Sequence, residues 1–174
     1  MIWLGLILSA MFLAYANGAN DNFKGVATLY GSGVATYRQA LALTTLATLA
    51  GSGVSLWLAA DLVKAFSGKG LVPDALAASP PFLLSVALGA SLTVIAATRL
   101  ALPVSTTHAL LGAMVGAGWM GGGADLNPAV LTKGFALPLL TSPLIALALS
   151  LAANLAWHRW SRARASRAED CLCI

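Results

Sequence analysis

The sequence predicts an all-α, polytopic helical membrane protein, and three observations lead to that fold class. Only 9% of the 174 residues are charged, whereas soluble domains carry roughly a quarter. The mean hydropathy is strongly positive, at +0.83. Between its charged side chains the sequence falls into five neutral runs, each with at least the roughly 18–20 residues that a helix needs to cross a bilayer. These runs are 1–20, 39–60, 75–98, 100–124 and 134–158. We therefore expect about five membrane-crossing segments.

The first neutral run is predicted to be a retained helix that breaks at its polar end. The tripeptide AYA at 14–16 resembles a signal-peptide cleavage site, but no Lys or Arg precedes the apolar core, as a secretory signal requires. The stretch NGANDN at 17–22 follows directly and can break the helix. The next neutral segment, 25–37, is too short to span a bilayer but long enough for a half-helix or a re-entrant leg. We therefore predict a broken helix at 17–37.

The runs in the middle of the chain predict helices that pack closely on their neighbours. Small residues in runs 39–60 and 75–98 are typical of helix contact faces, and so are the glycines between 112 and 118. The stretch 61–81 contains clusters of Gly, Ser and Pro and is predicted to be an exposed loop. The last run, 134–158, is rich in Leu and Ala and is interrupted by two prolines.

Run 100–124 is predicted to break near its start. Pro103 is placed to end the preceding segment, because its ring and missing N–H disrupt a helix interior. Ser105 and the two threonines after it are suited to the cap and first turn of a new helix. We therefore predict a half-helix at 103–118.

The distribution of Lys and Arg predicts the orientation of the chain. With five crossings and the N-terminus outside, the cytoplasmic basic residues would be Lys24, Arg38, Arg99, Arg159, Arg162, Arg164 and Arg167, and the external ones Lys64, Lys69 and Lys133. If run 100–124 dipped into the membrane and returned, the basic tail would be exported and this bias would reverse. We therefore expect an odd number of crossings in a single transmembrane domain, 1–158. The tail, 159–174, is expected to be cytoplasmic, with its arginines beside anionic lipid headgroups.

Two polar stretches inside the neutral chain predict an anion site. A helix start leaves about four backbone N–H groups without partners and carries a partial positive charge. The start near Ser105 can therefore bind an anion without a cationic side chain. The alternative is that its hydroxyls merely cap a kinked helix.

Asp21 predicts that a cation or proton accompanies the anion. A carboxylate is costly against lipid, so Asp21 should face the protein interior or a watery cavity. Beside an anion site it would repel the substrate unless a coupling ion joined them, in which case each ion favours binding of the other. The alternative for residues 17–22 is a polar turn at the membrane surface.

At these two stretches the chain resembles the inorganic phosphate transporter (PiT) family. That family carries a G-A-N-D-x-A-N signature followed by G-S-G, and a P-V-S-T-T-H signature followed by a glycine-rich helix. Here GAND stands at 18–21 with GSG at 31–33, and PVSTTH stands at 103–108 with Gly112. The resemblance implies a multi-pass protein of the cell (inner) membrane that moves inorganic phosphate by secondary transport. Sodium or protons would be the coupling ion, with no other cofactor.

Carried over by position, the resemblance also implies roles for individual residues. Phosphate would be bound by Asn20, Ser105, Thr106 and Thr107. The coupling ion would be bound by Asn20 and Asp21, with Asp21 holding sodium if sodium is that ion. Accessory candidates are Asn17, Lys24 and His108.

The chain departs from the family pattern in two ways. Phe23-Lys24 stands where the family often has Ala-Asn, and the loss of an amide oxygen favours protons over sodium. Lys24 either supplies a fixed positive charge or anchors at the cytoplasmic surface. Family members also usually contain two inverted repeats, each with its own pair of signatures, and this chain contains one pair. It therefore resembles the N-terminal repeat, one half of an inverted-repeat transporter.

A half-length chain leaves several functions open. A second half would come from a partner polypeptide or from another copy in a homo-oligomer, although the basic tail argues against insertion of one chain in both orientations. The alternatives are a permease for sulfate or another oxyanion, and a non-transporting subunit or truncated remnant that assembles with another transporter half. The sequence contains no nucleophile–base pair that would predict an enzyme. It also contains no metal-ligand spacing, because Cys171 and Cys173 alone are too few ligands for a metal site. The basic tail predicts lipid rather than nucleic acid as its partner.

Overall fold

The computed structural model describes residues 1–122 and 126–169, and the described chain is built from helices. In chain order these are α1 (Ile2–Asp21), α2 (Ala27–Gly31), α3 (Tyr37–Leu58), α4 (Ala60–Ala65), α5 (Asp74–Ala77), α6 (Pro80–Arg99), α7 (Thr106–Gly122) and α8 (Leu137–Glu169). A 3-10 turn, Lys24–Val26, precedes α2, and a π-helical segment, Val130–Ala136, leads into α8. The predicted all-α polytopic fold class is confirmed. The two cysteines of the tail lie outside the described residues.

Four stretches of the described chain are long and apolar enough to cross a membrane. They are Ile2–Gly31, Tyr37–Leu58, Pro80–Arg99 and Val130–Arg162. The neutral run 100–124 is not among these four stretches. Its residues 102–105 are not helical, and the helix that follows, α7, has 17 residues. Pro103 lies in this non-helical stretch, as expected from its missing N–H. The helix after it lies at the lower end of the roughly 17–25 residues of a full crossing, so the half-helix at 103–118 and the fifth crossing stay predictions.

The first helix breaks later than the sequence predicts. Helix α1 includes Asn17, Asn20 and Asp21, and the break comes at Asn22 and Phe23. Asn and Asp disfavour helix interiors because their side chains compete for nearby backbone groups, but those of Asn20 and Asp21 bond elsewhere. The predicted half-helix at 25–37 is also divided, into the 3-10 turn and the five-residue α2.

Helix α3 starts at a capping box. The backbone N–H of Thr36 donates to Gln39 Oε1 at 2.9 Å, and Gln39 N–H donates to Thr36 Oγ1 at 3.4 Å. This reciprocal pair satisfies two N–H groups that a helix start would leave unpaired. Three rings, Phe23, Tyr30 and Tyr37, cluster beside it with centroids 5.4–6.1 Å apart. The chain between the break and α3 is therefore held by local contacts.

Helix α6 packs against both α1 and α7 and forms the centre of the first compact unit, Met1–Pro128. Ala90 and Val94 of α6 are fully buried, as is Ala16 of α1. Near the end of α7, an added Cβ at Gly118 would lie 2.5 Å from Cγ1 of Val72. Glycine is thus needed where the loop before α5 crosses this helix. That loop falls within 61–81, as predicted, but Leu71 and Val72 are buried rather than exposed.

The second compact unit, Ala129–Ile174, contains α8. Helix α8 runs through Pro143, and the carbonyl of Leu139, which loses the proline's N–H, accepts instead from Ser142 Oγ at 3.4 Å. Such hydroxyl compensation allows proline inside apolar helices. The helix also continues through residues 158 and 159, so the expected boundary between transmembrane domain and tail is not a break in secondary structure. That boundary stays a prediction.

Candidate functional site

Lys24 lies at the centre of the polar cluster that follows α1. Its Nζ donates to Oδ1 of Asn20 at 2.5 Å and to Oδ1 of Asp21 at 2.6 Å. A third bond, 3.0 Å long, joins it to the backbone carbonyl of Val104, 80 positions later in the chain. Asn22 and Phe23 keep right-handed helical backbone angles across the break, so Lys24 still lies on the same side as the residues three and four positions before it. Of the two roles predicted for Lys24, these bonds favour a fixed positive charge.

Asp21 joins the two sequence motifs directly. While its Oδ1 accepts from Lys24, its Oδ2 accepts from Thr106 Oγ1 at 3.0 Å. Both oxygens of the carboxylate are therefore held, one by a cation and one by a hydroxyl. Its side chain is 37% exposed in the described chain, and that of Lys24 is 49% exposed, so neither group is sealed away. Two motifs separated by more than 80 residues form one polar cluster.

Asn20 fixes this cluster to α6. Its Nδ2 donates to Thr98 Oγ1 at 2.7 Å, and Thr98 Oγ1 donates in turn to the carbonyl of Val94 at 2.7 Å. The amide oxygen of Asn20 is thereby turned towards the ammonium of Lys24. These hydrogen bonds connect α6, at the centre of the first unit, with the polar cluster that follows α1.

The start of α7 has the form of an anion site. Ser105 caps the helix, because its Oγ accepts from His108 N–H at 3.3 Å and its carbonyl accepts from Ala109 N–H at 3.0 Å. The backbone N–H groups of Thr106 and Thr107 donate to no group within residues 1–122 and 126–169. The positive end of the helix dipole lies at this start, two residues after the Val104 carbonyl that accepts from Lys24. The side chain of His108 is exposed.

Asn22 binds α3 to the break, a contact that sequence reasoning missed. Thr44 Oγ1 donates to the carbonyl of Asn22, and Thr48 Oγ1 donates to its Oδ1 at 2.9 Å. Its Nδ2 donates to Thr45 Oγ1 at 3.4 Å. The signal was present, since residues four apart such as Thr44 and Thr48 lie on one face of a helix. The small residues of run 39–60 predict a packing surface instead.

Two cavities flank the cluster. One, of about 390 Å³, is lined by Asn17, Thr106 and Thr107 together with apolar side chains of α1, Phe66 and Leu110. The other, of about 270 Å³, is lined by Asn17, Gly18, Asp21, Asn22, Gly25, Thr44 and Thr48. Asn17 borders both, so the polar end of α1 separates them. Both are several times the volume of about 30 Å³ that one water molecule occupies in the liquid.

These features define a polytopic helical membrane protein in which a broken helix and the start of another helix share one charged site. Comparison with known proteins gives the family. The model of the "Phosphate transporter family" matches residues 17–173, most of the chain. The chain belongs to that family, which confirms the resemblance seen in the two motifs.

Its relatives include archaeal and vertebrate proteins. A Pyrococcus horikoshii protein named "Putative phosphate permease" is 34% identical over 129 residues, which is 71% of this chain and 31% of that protein. Sodium-dependent phosphate transporter 1 of Homo sapiens is 33% identical over 122 residues, 66% of this chain and 17% of the human protein. The chain therefore spans less than a third of the length of these relatives. No solved structure matches it.

Proposed function

We propose that the chain is part of a secondary transporter that carries inorganic phosphate across a cell membrane, and is not an enzyme. Membership of the phosphate transporter family and the names of its relatives support phosphate as the substrate. The observation that carries the proposal is the bond between Thr106 and Asp21, which joins the two family motifs into one site.

Phosphate binds at the start of α7 in this proposal. Its oxygens accept from the backbone N–H groups of Thr106 and Thr107 and from the hydroxyls of Ser105 and Thr107, while Asn20 borders the site. Several oriented donors beside a positive charge suit a tetrahedral anion. Asn17 lies between the two cavities and is an accessory residue. His108 contributes its backbone to the cap and keeps an accessory role.

The coupling ion is sodium or a proton. Sodium-dependent relatives favour sodium. The occupation of Asp21 Oδ1 by Lys24 favours a proton, because the ammonium already lies where a sodium ion would contact Asn20 and Asp21. In either case the carboxylate of Asp21 is the group through which the coupling ion acts.

A complete transport path requires a second half. The share of the relatives that the chain matches supports this, since 31% of the Pyrococcus horikoshii protein is less than half. The second half lies in the same longer polypeptide, in a partner chain or in another copy of this chain. We propose that the N-terminus is outside and that the Arg-rich end is cytoplasmic.

Phosphate binding by the purified chain in detergent tests this function, and calorimetry with phosphate and with sulfate is the measurement. Binding of phosphate that is weakened in Thr106→Ala and in Thr107→Ala supports the proposal, because both residues lie at the start of α7. The matched control is Thr93→Ala on α6, since the hydroxyl of Thr93 bonds to its own helix at Gly89.

Two outcomes would contradict the proposal. Absence of phosphate binding would leave a non-transporting subunit as the better description, and tighter binding of sulfate would favour an oxyanion permease. Uptake of labelled phosphate into liposomes, by the chain with and without its second half, then separates binding from transport.

A further inference from the structure

The three oxygens around Lys24 Nζ form a set suited to a bare cation. They are an amide oxygen from Asn20, a carboxylate oxygen from Asp21 and a backbone carbonyl from Val104, at 2.5, 2.6 and 3.0 Å. Carboxylate, amide and carbonyl oxygens are the ligands that hard metal cations take in proteins. The ammonium has three N–H donors, and each of the three finds one of these oxygens.

We propose that Lys24 is a tethered cation that fills a monovalent-cation site, so that this chain does not bind sodium there. Removal of the ammonium would open the same three oxygens to sodium. The inference deepens the function proposed above, because of the two coupling ions named there it leaves only the proton at Asp21. It rests on that function for the meaning of the site, namely compensation of the charge of Asp21 beside bound phosphate.

The contacts of Lys24 exceed those of an ordinary surface ion pair. Lysine three residues after an aspartate on a helix commonly forms an exposed pair that contributes little to stability. Here the ammonium also bonds to the amide of Asn20 and to a carbonyl from the stretch before α7. Asn20 is itself held by Thr98, and Asp21 by Thr106, so two of the three oxygens are positioned from outside the helix turn.

The charge of the Asp21 carboxylate explains why a cation is needed at this position. Asp21 lies one hydrogen bond away from the first residue of α7, so an anion bound there would face a carboxylate. Like charges that face each other at a partly exposed site repel, and water screens that repulsion only in part. A free coupling ion would remove this repulsion only when bound. The ammonium of Lys24 removes it permanently, because the side chain is covalently attached.

Thermal unfolding of the purified full chain, without phosphate, tests the inference directly. Sodium chloride is compared with choline chloride at equal concentration, because choline is too large for a three-oxygen site. We expect the same Tm for the unsubstituted chain in both salts. We expect sodium to raise the Tm of Lys24→Met and of Lys24→Gln by about 2–4 °C, through binding to the folded state alone.

Two matched variants separate charge at this site from general effects of a lost lysine. Lys24→Arg keeps the cation, so its Tm should not respond to sodium. Lys69→Met removes an exposed lysine from the loop before α5, and its Tm should not respond either. The inference would be overturned if sodium raised the Tm of the unsubstituted chain and this rise were absent in Asp21→Asn. This outcome can be measured even if the Lys24 variants fail to fold. Folded Lys24→Met and Lys24→Gln that ignore sodium would overturn it as well.

Phosphate titrations in the two salts keep this inference distinct from the proposed function. The unsubstituted chain should bind phosphate equally in both, whereas Lys24→Gln should bind it roughly tenfold more weakly in choline and recover in sodium. Phosphate binding that requires sodium in the unsubstituted chain would overturn the tethered cation while leaving phosphate recognition intact. Complete absence of phosphate binding would instead overturn the proposed function, and the Tm response would still decide the role of Lys24.

Discussion

The hydroxyl of Thr106 donates its proton to Oδ2 of Asp21 at 3.0 Å, across 85 positions of sequence. A hydroxyl has one proton to donate and two lone pairs that accept. With its proton committed to the carboxylate, Thr106 presents an acceptor to any ligand at the start of α7. The donors that remain there are the backbone N–H groups and the hydroxyls of Ser105 and Thr107. The bond between Thr106 and Asp21 therefore sets which atoms of a bound anion can be recognised.

Replacement of Thr106 tests the importance of this bond. Thr106→Val keeps the shape but leaves Oδ2 of Asp21 without its donor, and hydrogen bonds to charged groups contribute about 1.5–3 kcal/mol. We expect phosphate affinity, measured by calorimetry, to fall by about tenfold to a hundredfold. Thr106→Ser retains the hydroxyl and should bind phosphate with an affinity close to that of the unsubstituted chain. Equal affinities for the Val and Ser variants would contradict the role of the bond.

Selectivity between oxyanions provides a second prediction. Phosphate near neutral pH keeps a proton and can donate it to the acceptor that Thr106 presents, whereas sulfate has no proton to donate. An acceptor left facing an anion without a donor costs about 1–3 kcal/mol. We therefore expect sulfate to displace labelled phosphate at least about tenfold less effectively than unlabelled phosphate does. Equal displacement of labelled phosphate by sulfate and by unlabelled phosphate, at the same concentration, would contradict this arrangement.

The packing of α7 predicts a difference between two of its glycines. An alanine at Gly118 would place its Cβ 2.5 Å from Val72 Cγ1 and 3.0 Å from Leu126 Cδ2, whereas at Gly116 no atom of the described chain lies within 4 Å. Overpacking of this kind costs about 1–3 kcal/mol. We expect Gly118→Ala to lower the Tm, and Gly116→Ala, through the higher helix propensity of alanine, to leave it unchanged or raise it. If both substitutions lower the Tm equally, Val72 does not pack against α7 in this way.

The connection between Asn22 and α3 provides a fourth prediction. Thr48→Val removes the 2.9 Å bond to Asn22 Oδ1 and keeps the size of the side chain. We expect the free energy of unfolding to fall by about 0.5–1.5 kcal/mol, as for a typical intramolecular hydrogen bond. Thr93→Val is the control, because the hydroxyl of Thr93 bonds to the backbone of its own helix. A loss of the same size in both variants would show that the contact with Asn22 adds nothing.

Sequence reasoning reached the parts of this protein that local chemistry determines. Neutral runs had to be helices, because a bilayer offers no partner for backbone groups. The start of α7 followed from Pro103 and Ser105, whose effects extend over a single turn. The requirement that Asp21 avoid lipid placed it near a second polar group, which the structure identifies as Thr106.

Other features depend on contacts that local patterns do not contain. Helix α1 continues through Asn20 because Thr98, 78 positions away, accepts from its amide. The direction of Lys24 depends on a carbonyl 80 positions away, so the sequence alone left two roles open. The spacing of Thr44 and Thr48 indicates a polar face on α3, but nothing near them in the sequence identifies Asn22 as their partner.

The residue that α3 holds, Asn22, and the residue that holds the ammonium, Asp21, are neighbours in the chain. The threonines of α3 hold Asn22, and its neighbour Asp21 holds both Lys24 and Thr106. Among the helices of the first unit, α3 contacts mainly the 3-10 turn, α2 and α4 rather than the packed trio around α6. A sideways displacement of α3 would therefore pull on the carboxylate before it disturbed the core.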